Sequence, residues 1–309
     1  MRIDILIERA LEKRKPLFNI TNAYRIVNSY PDGFGGITID KYNNHFVIQS
    51  FSAADKNIDI NKIADFVVKK FNPDYLILKY RNTISALNQP PSVIIAKASS
   101  QTIIQENNLK FSVEVNGTLN TGLFLDMRRN RNIISGLVSN KSVLNCFSYT
   151  CSFGVYSRSS NASRVVNIDI NKKVLERGIK NYALNGLSWE KDEFRRAGVF
   201  DYIVGAFKRK NFFDIIILDP PTFSRYGKEV FSVKKDFPKL VKAALGILKP
   251  KGHLFISTNC SEISHSHLRG YIKKSGASPK KLVNLGQDID FPGSNLTKES
   301  YLAALLVDF

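Results

Sequence analysis

Cysteine is scarce in this chain, with Cys146, Cys151 and Cys260 the only three among 309 residues. The number is odd and no Cys-x-x-Cys pair occurs, which excludes a disulfide framework and a thiolate zinc site as organising devices. A reducing, cytoplasmic setting is therefore expected. The histidines, His45, His253, His265 and His267, offer one His-x-His at an expected helix start and no third ligand nearby in sequence, so no metal is expected. Long apolar runs are missing as well. No stretch approaches the ~18–20 uninterrupted apolar residues of a membrane helix, and no membrane partner is expected. Met1 to Lys15 carries Asp4, Glu8 and Glu12 at helical spacing, so an amphipathic helix is expected there rather than a secretory signal. Internal repeats, low-complexity tracts and the G-x-G-x-x-G fingerprint of a pyrophosphate loop are also absent.

Acidic residues are in deficit. The chain holds 45 Lys and Arg against 27 Asp and Glu, a net charge of +18. Residues 1–110 contribute 15 basic and 10 acidic side chains and the rest 30 and 17, so the excess concentrates in the second part. Basic clusters such as Arg128-Arg-Asn-Arg131, Lys208-Arg-Lys210, Lys234-Lys235, Lys273-Lys274 and Lys280-Lys281 interleave with Phe207, Phe212, Phe213, Phe231 and Phe237. That mixture suits a polyanion gripped through phosphates and stacked bases. Any one cluster alone could be an ordinary solvated face of a lysine-rich protein. With 43% hydrophobic and 23% charged residues, the composition is globular and the length allows one large or two ordinary domains.

Periodicity organises the chain into two parts. Residues 20–52 read as a β-meander of Ala23-Tyr-Arg-Ile-Val-Asn28, Gly36-Ile-Thr-Ile-Asp40 and Phe46-Val-Ile-Gln-Ser-Phe51, with turns at Pro31-Asp-Gly33 and Asn43-Asn44. Asp59 to Phe71 places Ile63, Phe66, Val67 and Phe71 on one helical face, and Tyr75-Leu-Ile-Leu78 follows as a strand. Pro90-Pro91 and Gln105 to Asn108 mark loops before a strand at Leu109 to Val115. From Lys141 strands and helices alternate, which predicts an α/β fold with a parallel sheet. The strands are 142–147, 164–168, Phe213 to Leu218 and His253 to Ser257, with an antiparallel one in Tyr301 to Val307. One helix runs between Asn171 as N-cap and Asn185-Gly186, facing Val174, Leu175 and Tyr182 inward, and another is expected to end at Lys249-Pro-Lys-Gly252. A small α/β domain over 1–112 and a larger domain over 113–309 result.

The chemistry gathers where strands end. In Val143-Leu-Asn-Cys-Phe-Ser-Tyr-Thr-Cys-Ser-Phe-Gly154 an apolar run breaks at Phe147 into small and polar residues, as a tight turn presenting backbone N–H groups to a ligand would. Val165-Val-Asn-Ile-Asp169 ends in a carboxylate 21 residues after Ser148, a spacing that lets an acid accept from ribose hydroxyls. With one late glycine the turn is a poor pyrophosphate loop, so the phosphate-free adenosine of S-adenosylmethionine (SAM) fits better than a dinucleotide. An ordinary buried strand-turn-helix is the plain alternative. Phe213 to Leu218 leads into Asp219-Pro-Pro-Thr-Phe223, where two prolines hold the backbone extended and leave Asp219 and the Pro220 carbonyl as rigid acceptors. Phe223 offers a flat ring for stacking on a base, unless this segment is only a turn.

Taken with Thr121-Gly-Leu-Phe-Leu-Asp-Met-Arg128 and with Tyr24-Arg-Ile-Val-Asn28 through Ile39-Asp40, these motifs make the chain resemble the class I SAM-dependent methyltransferases of large-subunit ribosomal RNA, a family that includes the cytosine-C5 enzyme of bacterial 23S rRNA. The resemblance covers nearly the whole chain. It implies a Rossmann-like, seven-stranded methyltransferase domain that holds SAM through Phe147, Ser148, Tyr149 and Thr150, with Asp169 and Ile170 at the ribose and Val199 near the adenine. Thr121, Asp126 and Arg128 would close over the methionine end, Arg128 as carboxylate partner. Asp219 and Pro220 would face the transferred methyl group, and Pro221 and Phe223 the target base. Cys260 stands where the cytosine-C5 members hold their nucleophile.

Three departures from the family pattern stand out. Met127 replaces a usual Gln and Cys151-Ser152 two small residues; Ala197-Gly-Val199 offers only backbone groups where relatives carry an Asp. The RNA-binding domain of the PUA type with which many relatives begin is expected to be lacking here. The resemblance makes rRNA the expected partner and methylation of a 23S cytosine at C5 the expected reaction, with Cys260 and Asp219 catalytic. Nitrogen methylation of an rRNA guanine needs no cysteine and stays open, as does an RNA-binding or ribosome-assembly factor without activity. A small-molecule methyltransferase would have little use for the positive charge.

Overall fold

The computed structural model describes residues 3–51, 58–81, 92–117, 120–226, 229–293 and 302–309. The loop expected at Pro90-Pro91 lies outside the described residues. Two compact units emerge. One comprises residues 1–128 and 287–297, the other 129–286 and 298–309.

The first unit is built on a sheet in the order β1 (Ala23–Asn28), β2 (Ile37–Tyr42), β3 (His45–Phe51), β4 (Tyr75–Arg81) and β5 (Ser92–Ala96). The meander pairs antiparallel, whereas β3 and β4 run parallel because a helix connects them. That helix, α2 (Ile60–Phe71), starts where the Asp59 side chain accepts from the Asn61 N–H and stops at Asn72 in the left-handed region. It and α1 (Ile3–Arg14) bury Ile63 and Val67, and Ile7 and Ala10, in the same core as Ile26, Ile39, Phe46 and Leu76. A separate hairpin, β6 (Gln101–Glu106) with β7 (Leu109–Glu114), turns at two asparagines with positive φ. The domain boundary expected after residue 112 thus falls inside β7. Bonds from the Asn22 N–H and the Thr21 hydroxyl to the Gln105 carbonyl tie the hairpin to the first unit.

The second unit is a seven-stranded sheet in the order β10 (Phe194–Arg196), β9 (Arg164–Asp169), β8 (Ser142–Cys146), β11 (Phe213–Leu218), β14 (Leu248–Thr258), β16 (Ala303–Asp308) and β15 (Lys281–Leu285). The first five run parallel and β16 antiparallel to both its neighbours. Helices α3 (Arg128–Ser135), α4 (Ser152–Ser159), α5 (Lys172–Leu184), α6 (Val199–Lys208), α7 (Val233–Leu245) and α8 (His265–Lys274) complete it. The central strands are buried on both faces, which is why Ile215-Ile-Ile-Leu218 is apolar without alternation. Strand order reverses between β8 and β11, and a doubly wound sheet opens its ligand crevice at the carboxyl ends there.

Three expectations are corrected. Lys249-Pro-Lys-Gly252 does not end a helix: α7 stops at Leu245, and these residues open β14, next to an irregular register with β11. Phe213 and Phe237 are fully buried core residues and not surface stacking platforms, since both fall on core faces of their elements. Val174 is only half-buried, leaving Leu175, Gly178 and Tyr182 as the inner face of α5.

Candidate active site

The carboxyl ends of β8, β9, β10, β11 and β14 place the turn 147–151, Asp169, Ala197 to Val199, Asp219 to Phe223 and Asn259-Cys260 on one edge of the second unit. After β8 the backbone enters the left-handed region at Phe147 (φ 54°), Tyr149 (φ 49°) and Cys151 (φ 61°). None is glycine, so each conformation is strained and must be held from outside. The Ser148 N–H donates to the Ile168 carbonyl at 2.9 Å, the Cys151 N–H to the Ser148 carbonyl at 2.7 Å, and the Asn181 amide to the Thr150 carbonyl at 3.0 Å. The Tyr149 N–H points at Asp169 and donates to Oδ2 at 3.0 Å.

Two glycines let helices approach this turn. A Cβ on Gly178 would stand 2.4 Å from Cys151 Sγ, and one on Gly154 2.2 Å from Asn167 Oδ1. The late glycine of the turn therefore serves close packing and not phosphate contact. Beneath the turn the Asn145 amide donates to Asn167 Oδ1 at 2.9 Å and the Asn167 amide to the Tyr182 hydroxyl at 3.1 Å. All three are buried, so this polar ladder is satisfied internally and fixes the spacing of β8, β9 and α5.

Asp169 also accepts from the Asn171 N–H at 2.9 Å through Oδ1. Burial raises its pKa, while backbone N–H bonds from Asn171, Tyr149 and Ile170 pull the other way. A carboxylate has about four acceptor positions, so ribose hydroxyls can still bond to it. Ile170 is half-buried beside it, and Val199 opens α6 as a buried apolar contact with Phe147 half-buried in the same core. The expectation of a turn that presents free N–H groups is corrected here, because those of Ser148, Tyr149 and Cys151 are spent on the Ile168 carbonyl, Asp169 and the Ser148 carbonyl. What remains is an acidic acceptor between apolar walls, with no pyrophosphate loop of glycines. The set fits the adenosine and amino-acid tail of SAM.

Asp219 is half-buried, and its Oδ1 accepts from the Ser257 hydroxyl at 2.7 Å. Pro220 is buried, Pro221 exposed and Phe223 59% exposed at the start of the hairpin β12 (Phe223–Tyr226) and β13 (Glu229–Ser232). Phe231 of that hairpin packs on Phe147, ring centroids 5.4 Å apart, and ties it to the cofactor turn. The Thr222 hydroxyl donates to Asn259 Oδ1 at 3.0 Å, bracing the Asp-Pro-Pro segment against the end of β14. Cys260 follows, 5% exposed and packed in the core with Ile263. The sequence reading missed Ser257, Thr222, Asn167 and Gly178. The end of the apolar run Leu254-Phe-Ile256 at Ser257, matching the end of Ile215 to Leu218 at Asp219, was the signal that would have found the first.

Thr121, Asp126 and Arg128 belong to the first unit. Thr121 donates to the Tyr42 hydroxyl at 3.1 Å. Arg128 is 1% exposed and holds Asp288 at 3.0 Å, Asp290 at 2.6 Å and the Ala23 carbonyl at 3.3 Å. The buried Asp290 and the half-buried Asp288 of its own unit, rather than a ligand carboxylate, take its donors. The His-x-His is likewise absorbed, with His267 accepting from the Ser264 N–H in a capping box and His265 bonded to the Leu285 carbonyl. Among the described residues no cluster could hold a metal ion, and no helix is long and apolar enough to cross a membrane.

Fold and site together define a class I nucleoside-binding transferase. A family model described as S-adenosylmethionine-dependent methyltransferase matches residues 82–307. Ribosomal RNA large subunit methyltransferase I of Vibrio vulnificus is 33% identical, over 90% of this chain and 72% of its own length. The protein of the same name from Photobacterium profundum is 32% identical over 79% of this chain and 62% of its own. The crystal structure of SMU.776, described as a methyltransferase and solved with SAH, aligns over 99% of this chain and 80% of its own, with 30% identity and a TM-score of 0.85. This chain belongs to the SAM-dependent methyltransferase family, and SAM is its cofactor.

Proposed function

We propose that this protein methylates a base of large-subunit ribosomal RNA, at C5 of a cytosine. Two relatives named above are large-subunit rRNA methyltransferases, and a net charge of +18 suits a polyanionic substrate. The observation that carries the reading is the pairing of β11 with β14, which ends in Asp219 on one strand and Ser257 to Cys260 on the next, on the edge that bears the cofactor turn.

In this reading Thr150, Tyr149, Ser148 and Phe147 hold the cofactor, with Asp169 and Ile170 at its ribose and Val199 and Pro220 along its walls. When bound, SAM supplies the methyl group. Ring carbon C5 of cytosine is a weak nucleophile, so Cys260 Sγ as thiolate adds to C6 while the protonated Asp219 carboxyl gives N3 a proton and so takes up the displaced electron pair. C5 then takes the methyl group, the bonding pair returning to the sulfonium sulfur; water removes the C5 proton, and the C5–H pair re-forms the C5–C6 double bond as the Cys260 sulfur leaves as thiolate and N3 returns its proton to Asp219. Pro221 and Phe223 flank the base, which has to leave its stack to reach this edge.

Incubation with SAM and rRNA containing 5-fluorocytidine tests this chemistry, because fluorine cannot leave as the proton does. A covalent protein–RNA complex is expected with the native chain and none with Cys260→Ala. The burial of Cys260 favours a second reading, nitrogen methylation of guanine with acceptors alone orienting the base. Methyl transfer to rRNA without any covalent complex would establish that reading instead.

A further inference from the structure

The sheet of the second unit has another edge, where its parallel strands begin. Register joins that edge in one row: Arg164 pairs with Ser142, Val143 with Ile215, Ile215 with His253, His253 with Asp308 and Asp308 with Lys281. We propose that this amino edge is a second RNA-binding surface, gripping phosphates of the same substrate whose base is methylated at the carboxyl edge. The inference rests on the rRNA reading above.

Charge is the first support. Lys208, Lys210, Lys251 and Lys281 are exposed on this edge, and none has a carboxylate partner among the described residues. Most acids here are engaged already: Asp214 by Lys249 at 2.8 Å, Asp308 by His253 at 2.9 Å, Asp192 by Arg195 at 3.7 Å and Glu193 by Arg158, which leaves the exposed Glu190 before β10. A lysine in the last turn of a helix complements the helix dipole, which accounts for Lys208 at the end of α6. Dipoles do not account for Lys210 in a connection, for Lys251 near the start of β14, or for Lys281 at a strand start.

Exposed rings are the second support. Phe207 is 59% exposed and Phe212 38%, on either side of Lys208-Arg-Lys210. Of the five phenylalanines interleaved with basic residues in the sequence, these two remain at the surface of this edge, while Phe213 and Phe237 went into the core. Aromatic faces beside unpaired cations are what single-stranded RNA uses for stacking and phosphate contact together. The two edges of the sheet are separated by one strand length, about 17–20 Å. A folded rRNA fragment reaches across that distance.

The test compares the native chain with Lys208→Ala/Lys210→Ala/Lys251→Ala and with Phe207→Ala, all at exposed positions away from the cofactor turn. SAM affinity by calorimetry should be the same in all three. For a large-subunit rRNA fragment, the triple variant should bind about tenfold or more weakly, and the slope of log affinity against log salt should fall by about two to three. Phe207→Ala should weaken binding with the slope unchanged. Unaltered affinity and slope in the triple variant overturn the inference while leaving rRNA as substrate. Failure of the native chain to bind rRNA at low salt overturns the rRNA reading itself. Loss of binding to vesicles of anionic lipid, with rRNA binding intact, would reassign the edge and also overturn the proposal.

Discussion

Asp169 stands at a boundary between two demands. At the ribose site proposed for it, the ionised form accepts from hydroxyls most strongly, yet burial raises its pKa above the ordinary carboxylate value of about 3.9. Backbone N–H groups from Tyr149 and Asn171 supply part of the compensation. Because the folded pKa lies above the unfolded one, the folded state binds the proton first, so this group favours folding as pH falls through the raised value and opposes it above. In the proposed site cofactor binding has the opposite sign, since the ionised form accepts more strongly than the protonated one. SAM affinity measured by calorimetry should be flat near pH 7–8 and decline on acidification, approaching tenfold per pH unit, from a point above that of an ordinary aspartate. Asp169→Asn should bind SAM at least about tenfold more weakly, consistent with losing a hydrogen bond to a charged group of ~1.5–3 kcal/mol, and should lose that decline. An acid-insensitive affinity in the native chain would remove Asp169 from the ribose site. The strain at Phe147, Tyr149 and Cys151 belongs to the same scale: three non-glycine residues in left-handed geometry persist because Asp169, Asn181 and Gly178 leave them no other arrangement.

At the scale of elements, sequence patterns were legible where one face decides. Asp59 and Asn171 act as N-caps with side chains accepting from the chain two residues on, as their residue types predict. The central strands β8, β9 and β11 were legible as apolar runs, and the carboxylates Asp169 and Asp219 marked their ends. Short or edge strands were not. β10 has three residues, Phe-Arg-Arg, with no alternation to read, and β6 is mostly exposed, so its residues look like loop. The connection from β15 to β16 was unreadable for another reason: its role is set by partners far away in sequence. Asp290 is fully buried, bonded to Arg128 at 2.6 Å and to the Arg25 N–H at 3.0 Å, and Phe291 lies 4.6 Å beneath the Arg25 guanidinium. Asp288 meets the same Arg128 with its side chain 22% exposed. Removing one partner of a buried pair leaves the other charge uncompensated, at about 3–5 kcal/mol, whereas a partly solvated partner is worth about 1 kcal/mol. Urea unfolding should therefore show Asp290→Ala destabilised by about 3 kcal/mol and Asp288→Ala by about 1 kcal/mol. Equal losses would show that the network does not depend on burial.

For the whole molecule, the consequence is that its first unit is discontinuous. The chain completes residues 1–128, builds most of the second unit, returns for 287–297 and leaves again for β16. Reading by composition and turn signals assumes that neighbours in sequence fold together, which is why a single boundary near 112 was the natural expectation. Long-range hydrogen bonds override it: Arg14, buried beside Asp32, donates also to the Asp290 carbonyl at 3.2 Å, and the Asn28 amide donates to the Pro292 carbonyl at 3.0 Å. A fragment of residues 1–128 retains the sheet and helices but loses Asp288 and Asp290, the two carboxylates bonded to Arg128, and keeps only the longer-range charge of Glu106. A domain of this size is stable by only about 5–15 kcal/mol, so a buried guanidinium stripped of both bonded carboxylates consumes a large part of it. The fragment should melt broadly and at low temperature in calorimetry. Fusing 287–297 to its end through a flexible Gly/Ser linker of about ten residues should restore a cooperative transition and raise the midpoint by roughly 10 °C. The same fusion carrying Asp290→Ala should gain much less, because the linker and the added length are then present without the charge that Arg128 needs. Identical melting of all three chains would mean that the first unit is complete at residue 128 and that the returning segment only decorates it.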